Sequence, residues 1–221
     1  MTFATIADCL CVGNRIVEEW LVRDNSAIVW SLGQNPRDVA RSQALANRAG
    51  GPTPQPWRQE RMARVRATPA TPFPARSAPR PHDDPEGWVG WFVDSVMTHR
   101  RLAAIRDTHH SNVRVAAPGG RRLFGHGEAI GWWAAFLGTF AEPRVRVDHI
   151  AWQPTHNGGL DIALRWELAG HHAGPALYGA PSGRDCYVLA VTHWRIDAGK
   201  VAREWTVFDE VALLRQIEGG L

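Results

Sequence analysis

Nowhere in its 221 residues does the chain approach the roughly 18 consecutive apolar residues that a membrane span needs. No membrane-crossing helix is expected. The first residues also lack the basic, apolar and small-residue regions of a secretory signal, so the cytoplasm is the expected setting. Cysteine is scarce: Cys9, Cys11 and Cys186 are three, an odd number, at spacings that fit neither a disulfide framework nor a zinc site. They are expected to serve as small buried hydrophobes. There is no phosphate-cradling glycine loop and no nucleophile elbow. The pairs His109 with His110 and His171 with His172 do not fill that gap, because neighbours on a strand or helix point apart and neither pair chelates alone. No metal and no cofactor are expected. What is present is apolar bulk, 44% hydrophobic residues, enough for a core in one domain or two small ones.

The formal charge of +3 would suit a nucleic-acid partner if it lay on a folded face. It does not follow that pattern. Arg48, Arg58, Arg61, Arg64, Arg66, Arg76 and Arg80 fall between residues 46 and 83, together with Pro52, Pro54, Pro56, Pro69, Pro72, Pro74, Pro79 and Pro81. Without this tract the chain is slightly acidic, so no nucleic-acid role is expected. The tract has the composition of a linker, stiffened by proline and solvated by arginine. Within it, "PWRQERMARVRA" carries Trp57, Met62 and Val65 at loose helical spacing.

A compact domain is expected over residues 84–221. Asp84, Pro85 and Glu86 form a helix start: a capping carboxylate, a proline suited to the first turn, and an acid at the positive end. Trp88, Trp91, Phe92, Ser95, Val96 and His99 then recur at three-and-four spacing, the stripe of an amphipathic helix. A short helical piece around Leu102 and Ile105 precedes the strand "NVRVAAPGG", and "GHGEAIGWWAAFLGTF" reads as another helix with Ile130, Trp133, Leu137 and Phe140 on one face. From Arg144 the period becomes two. "DIALRWEL", "RDCYVLAVTHWRI" and "KVAREWTVFD" alternate as half-buried strands do, and "EVALLRQI" closes the chain as a helix. Helices first and strands after describe an α+β domain whose curved antiparallel sheet wraps its helices into a cone, a natural ligand pocket.

One stretch occurs twice. "GNRIVEEWLVRD" at 13–24 and "AGKVAREWTVFD" at 198–209 superpose at an offset of 185, with Glu19 on Glu204, Trp20 on Trp205, Val22 on Val207 and Asp24 on Asp209. A Gly-Asn turn and an apolar stretch flank the first copy as a hairpin and helix would. The chain is thus expected to hold a partial repeat at 1–45, a linker at 46–83 and a complete domain at 84–221. An isolated hairpin is marginal in water. It is expected to pack its apolar side on the complete domain's sheet, where a pseudo-twofold partner would lie, or on a second subunit.

The C-terminal motifs carry a resemblance. Gly170, His172 and Gly174 form a G-x-H-x-G turn; Gly179, Pro181, Ser182, Gly183 and Arg184 form a second turn; Arg195, Ile196, Gly199, Lys200, Glu204, Trp205 and Asp209 follow in order. The set over residues 84–221 resembles the SnoaL-like, polyketide cyclase-type branch of the nuclear transport factor 2-like superfamily. The resemblance implies the cone fold and, for the first copy, a tandem member with a truncated first domain. It also implies a small apolar molecule as partner, cofactor-free acid-base chemistry of cyclase, isomerase or hydratase type, and a homodimer or intrachain pseudo-dimer through the sheet face.

Such chemistry needs a carboxylate or imidazole of shifted pKa held dry beside a carbon acid. Asp209 shares strand parity with Trp205 and Val207, so it faces the cone if Trp205 does; it also stands where a cap for the last helix belongs, as does Asp24 in the first copy. His193, on the neighbouring strand, is the expected acid-base partner, or else a sheet histidine with a backbone partner. Trp205, Trp166, Tyr178, His172, Trp91 and Trp133 complete the expected lining, with His172 alternatively stabilising its turn. A non-catalytic ligand-binding or dimerisation module is the competing reading. Asp209 and His193 facing a shared void favours the enzyme, whereas capping bonds or a cone filled by tryptophans favours the module.

Overall fold

In the computed structural model, which describes residues 3–49 and 56–219, two hairpins close on two-residue turns whose residues are all left-handed. They are Gly13 (φ 56°) with Asn14 (61°), and Ala198 (46°) with Gly199 (76°). That geometry matches the right-handed twist of the flanking strands. In chain order the elements are β1 (Thr5–Val12), β2 (Arg15–Arg23), α1 (Asn25–Ser31), α2 (Pro36–Ala49), α3 (Pro56–Arg66), α4 (Pro85–Phe92) with a π-helical extension Val93–Thr98, α5 (Ala104–Thr108), β3 (His109–Ala117), β4 (Arg121–Phe124), α6 (Gly125–Gly138), β5 (Phe140–Pro154), β6 (Leu160–His172), β7 (Asp185–Asp197), β8 (Lys200–Phe208) and α7 (Glu210–Ile217).

The main sheet has six strands in the order β4-β3-β8-β7-β6-β5. All neighbours are antiparallel except β3 and β8, which run parallel. This is the α+β cone expected from helices followed by strands. Asp84 caps α4 by accepting from the Gly87 N–H at 2.9 Å. On α6 the buried stripe is Ala129, Trp132, Trp133, Phe136 and Leu137, spaced i, i+3, i+4, i+7, i+8. Gly174 is glycine for lack of room, because a Cβ there would collide with the carbonyl of Gly138.

Register assigns the two faces of the sheet. Thr192 pairs with Leu164 and Thr206, and Trp194 with Ile162 and Glu204, so these side chains share the cone face with Trp166 and Phe208. Val191, His193, Trp205 and Val207 lie on the opposite face. There the separate β1-β2 hairpin covers the sheet: Val22 packs with Val191 and Val207, and Ile6 and Leu189 border them. At the offset of 185, Val22 corresponds to Val207 and Ile6 to Val191, so equivalent residues of the two copies meet one another. The outward side of the hairpin stays exposed, including Cys11, Val17 and Leu21, so the expectation of buried cysteines holds for Cys186 alone.

Helix α3 departs from the expected solvated spacer. It lies on the outer face of the sheet, where Arg61 pairs with Glu167 at 2.5 Å and Asp148 at 3.0 Å, Arg64 with Asp148 at 2.6 Å, and Arg66 with Asp185 at 2.5 Å. Arg61 and Arg165 also both approach the Trp20 ring, their guanidinium carbons 4.6 and 4.8 Å from its centroid. Three of the arginines that suggested solvation, Arg61, Arg64 and Arg66, are matched by acids that only the fold brings near.

Candidate functional site

The structure does not bring Asp209 and His193 together. Asp209 caps α7, its Oδ1 accepting from the Ala212 N–H at 3.0 Å, while Oδ2 accepts from Asn25 Nδ2 at 2.6 Å. His193 pairs with Trp205, and four further residues along β8 put Asp209 about 13 Å away at ~3.3 Å per residue. Direct proton exchange over that span is excluded. The parity linking Asp209 to Trp205 holds, but their shared face is the outer one. Asp24 behaves as its copy does, accepting from the Ala27 N–H at 3.1 Å, and it also takes the amides of Gly119 and Gly120 at 3.0 Å each.

The remaining expected lining residues fall in four places. Trp133 and Trp166 stand inside the cone. Trp91 donates its Nε1 to Ala75 O at 2.8 Å and lies under the Arg101 guanidinium, so it anchors the segment preceding α4. Tyr178 is buried against α7 and donates to Glu210 at 3.0 Å; burial and that neighbouring carboxylate hold its pKa well above the phenolic range. His172 stabilises its turn, its Nδ1 accepting from the Ser182 N–H at 3.1 Å with Ser182 Oγ at 3.0 Å.

That turn has a pH signature. Burial, and then the charge of Arg37, draw the His172 pKa below the ordinary imidazole value. A folded pKa below the unfolded value of about 6.5 leaves stability complete above about pH 6.5 and removes it as pH falls through the lowered folded value. Melting temperatures measured from about pH 8 down to about pH 5 should therefore fall, and His172→Asn, which keeps an acceptor for Ser182, should flatten the slope. An unchanged slope in that variant would remove His172 as its source. His193, lowered in the same direction by desolvation, supplies part of the remainder.

The cone holds a cluster absent from the sequence-based candidates. Glu204, 1% exposed, accepts from Trp194 Nε1 and His109 Nε2 at 3.1 Å each, from Trp133 Nε1 at 3.2 Å and from Thr206 Oγ1 at 3.3 Å. His109, also 1% exposed, meets Thr108 Oγ1 through Nδ1 at 2.8 Å. Rings fill the surrounding space: Phe92 stands 5.1 Å from Trp194 and 6.1 Å from Trp133, and Trp166 lies 6.4 Å from Trp133 and 6.1 Å from Phe136. The sequence carried a signal for Glu204, an acid in strand parity with Thr206 and Phe208.

A recess of about 730 Å³ opens on the other face, between the hairpin and the sheet. Ile6, Ala7, Trp152, Ala163, His193 and Trp205 line it. Desolvation pulls the His193 pKa down and favours a neutral imidazole, and the Asp161–Arg195 pair, 2.8 Å between Oδ2 and Nη2, sits at its rim. Among the described residues no group of three His, Cys, Asp or Glu side chains is placed to hold a metal ion. No helix among them is long and apolar enough to cross a membrane.

The family profile of SnoaL-like polyketide cyclases matches residues 89–217, more than half of the chain. No curated protein matches significantly. Among solved structures, a SnoaL-like polyketide cyclase from Jannaschia sp. CCS1 is similar with a TM-score of 0.52 and 19% identity, over 69% of this chain and 98% of that one. IdmH, a polyketide cyclase from Streptomyces antibioticus, is similar with a TM-score of 0.49 and 18% identity, over 63% and 99%. At such identities the first of these likenesses bears on the fold alone.

Proposed function

The chain belongs to the SnoaL-like polyketide cyclase family, and from that premise we propose that it is a ligand-binding member in which the recess under the hairpin takes a small apolar molecule. The observation that carries this reading is the exchange of roles between the two faces of the sheet. The cone is packed with aromatic rings around a carboxylate whose acceptors are engaged, while the outer face presents a largely apolar recess with Trp205 and Trp152 as walls, His193 within it, and Gln153 and the Asp161–Arg195 pair as further polar groups. Ligand sites commonly have that composition. Asp209 acts as a helix cap in this reading, and its repeat Asp24, in the same role, supports it. The hairpin takes the position of a partner subunit, so the functional unit is an intrachain pseudo-dimer and the first copy is scaffold. A cytoplasmic setting belongs to the same proposal, supported by the free thiols of Cys9, Cys11 and Cys186.

One observation favours a second reading. The Glu204–His109 pair joins a carboxylate to an imidazole in a dry environment, the ingredients of cofactor-free proton transfer of cyclase, isomerase or hydratase type. Titration with the neutral fluorophore N-phenyl-1-naphthylamine separates the two. In the recess reading, Trp205→Ala and Ala163→Arg each weaken binding by about tenfold or more, whereas Glu204→Gln leaves it unchanged. Loss of binding in Glu204→Gln with full binding in Trp205→Ala would transfer the site to the cone.

A further inference from the structure

We propose that the groove between α3, α7 and the end of β2 is a second binding site, for a small organic carboxylate with an apolar body, gripped by Arg58 and Arg215. Arg58 is 5% exposed, yet its Nη1 is buried without a hydrogen-bond partner, and so is Nε of Arg215. Neither guanidinium forms an ion pair among the described residues. The contrast with the rest of α3 is direct: Arg61, Arg64 and Arg66 each have a carboxylate within 3.0 Å. Only the arginine that turns into the groove goes without.

Arginine does not shed its proton to escape burial, so the fold holds two cations side by side with unmet donors. Desolvation, and then the charge of Arg215, lower the Arg58 pKa, as expected for cations brought together away from water. An anion between them would relieve both penalties through paired N–H···O bonds, which guanidinium forms best with carboxylate or phosphate. Two other polar groups of the groove are occupied. Gln216 accepts from the Tyr187 N–H at 2.8 Å and donates to Tyr187 O at 2.9 Å, and both oxygens of Asp209 are engaged as described. Buried unmet donors are thus concentrated on Arg58 and Arg215, with Arg23 adding an exposed cation at the rim.

Shape selects among anions. Asp209 and the exposed Arg23 also line the groove, so its four charged groups sum to two net positive charges, which favours an anion without choosing its valence. The walls are Trp57, Leu21, Leu189 and Tyr187, around a space of about 550 Å³, so the anion's body is apolar or aromatic. The site lies apart from the recess that His193 and Trp205 line, and the inference is independent of that reading.

Isothermal titration of the full chain with octanoate, its neutral counterpart octan-1-ol, and inorganic phosphate tests the proposal. Octanoate should bind with salt-sensitive affinity and outcompete both, and Arg58→Met and Arg215→Gln should each weaken it by about tenfold to hundredfold. Without ligand, Arg58→Met should melt at or above the wild-type temperature, since it removes an unpaired buried charge. If Arg58→Met fails to fold, Arg215→Gln on the more exposed wall carries the test, with Trp57 fluorescence as local reporter. Equal binding of octanol, tighter binding of phosphate, absence of octanoate binding, or octanoate binding that survives both arginine substitutions would each overturn the proposal. Octanoate binding lost in Trp205→Ala but retained in the arginine variants would overturn it as well, because the ligand would then sit in the recess.

Discussion

Glu204→Ala is expected to cost about 3–5 kcal/mol of folding stability, a large share of the ~5–15 kcal/mol available to a domain of this kind. The reason lies in what the carboxylate leaves behind. Trp133, Trp194 and His109 all direct N–H groups at it from buried positions, and none has another acceptor near that nitrogen among the described hydrogen bonds. Alanine would strand these donors and open a cavity between the rings, and an unsatisfied buried donor costs about 1–3 kcal/mol. Glu204→Gln keeps the volume and one acceptor oxygen, so its loss should be smaller, about 1–3 kcal/mol. Urea unfolding followed by tryptophan fluorescence checks both values. A cost below about 1 kcal/mol for Glu204→Ala would mean that the cone repacks freely and that the cluster is not its structural centre.

Deletion of residues 1–49 is expected to cost at least about 4 kcal/mol, or else to drive the shortened chain into dimers. The hairpin buries Val191 and Val207 through Val22, and exposing a buried aliphatic side chain costs about 1.5–3 kcal/mol. Polar ties go with it: Asp24 on the amides of Gly119 and Gly120, Arg37 and Arg41 on Glu218 at 3.0 and 3.3 Å, and Arg165 on Asp8 at 2.8 Å. A bared apolar sheet face is also a surface on which a second copy can pack. Thermal melting and sedimentation velocity read the two consequences. A deletion variant as stable as the full chain and monomeric would show that the hairpin is an ornament and not a pseudo-twofold partner.

Much of the architecture was readable from local rules. The Asp84 cap, the two-residue turns at 13–14 and 198–199, and the change from helical to alternating period near residue 144 act over a few residues, and the structure keeps each. Even the doubled motif was informative, since Asp24 and Asp209 turn out to cap their helices in the same way. The candidate site was less legible. Alternation along β8 groups Glu204, Thr206 and Phe208 on one face, and Trp205, Val207 and Asp209 on the other, but it does not say which face is inner. The usual guide, apolar side inward, failed because the hairpin covers the outer face and makes Trp205 and Val207 look like core. The polar pair Glu204 and Thr206, which looked external, is satisfied inside by donors from α6, β3 and β7.

The sequence by itself determined the elements, their order, the turns and caps that end them, and the N-terminal hairpin, because each follows from contacts between near neighbours in the chain. Only the tertiary structure decided which face of the sheet became the interior, which carboxylates Arg61, Arg64 and Arg66 would meet, and that Arg58 and Arg215 would line a groove with no ion pair of their own. Those outcomes depend on pairs of residues up to about two hundred positions apart, such as Asn25 with Asp209 and Arg37 with Glu218. Periodicity carries no information about partners at that distance; packing and charge matching do.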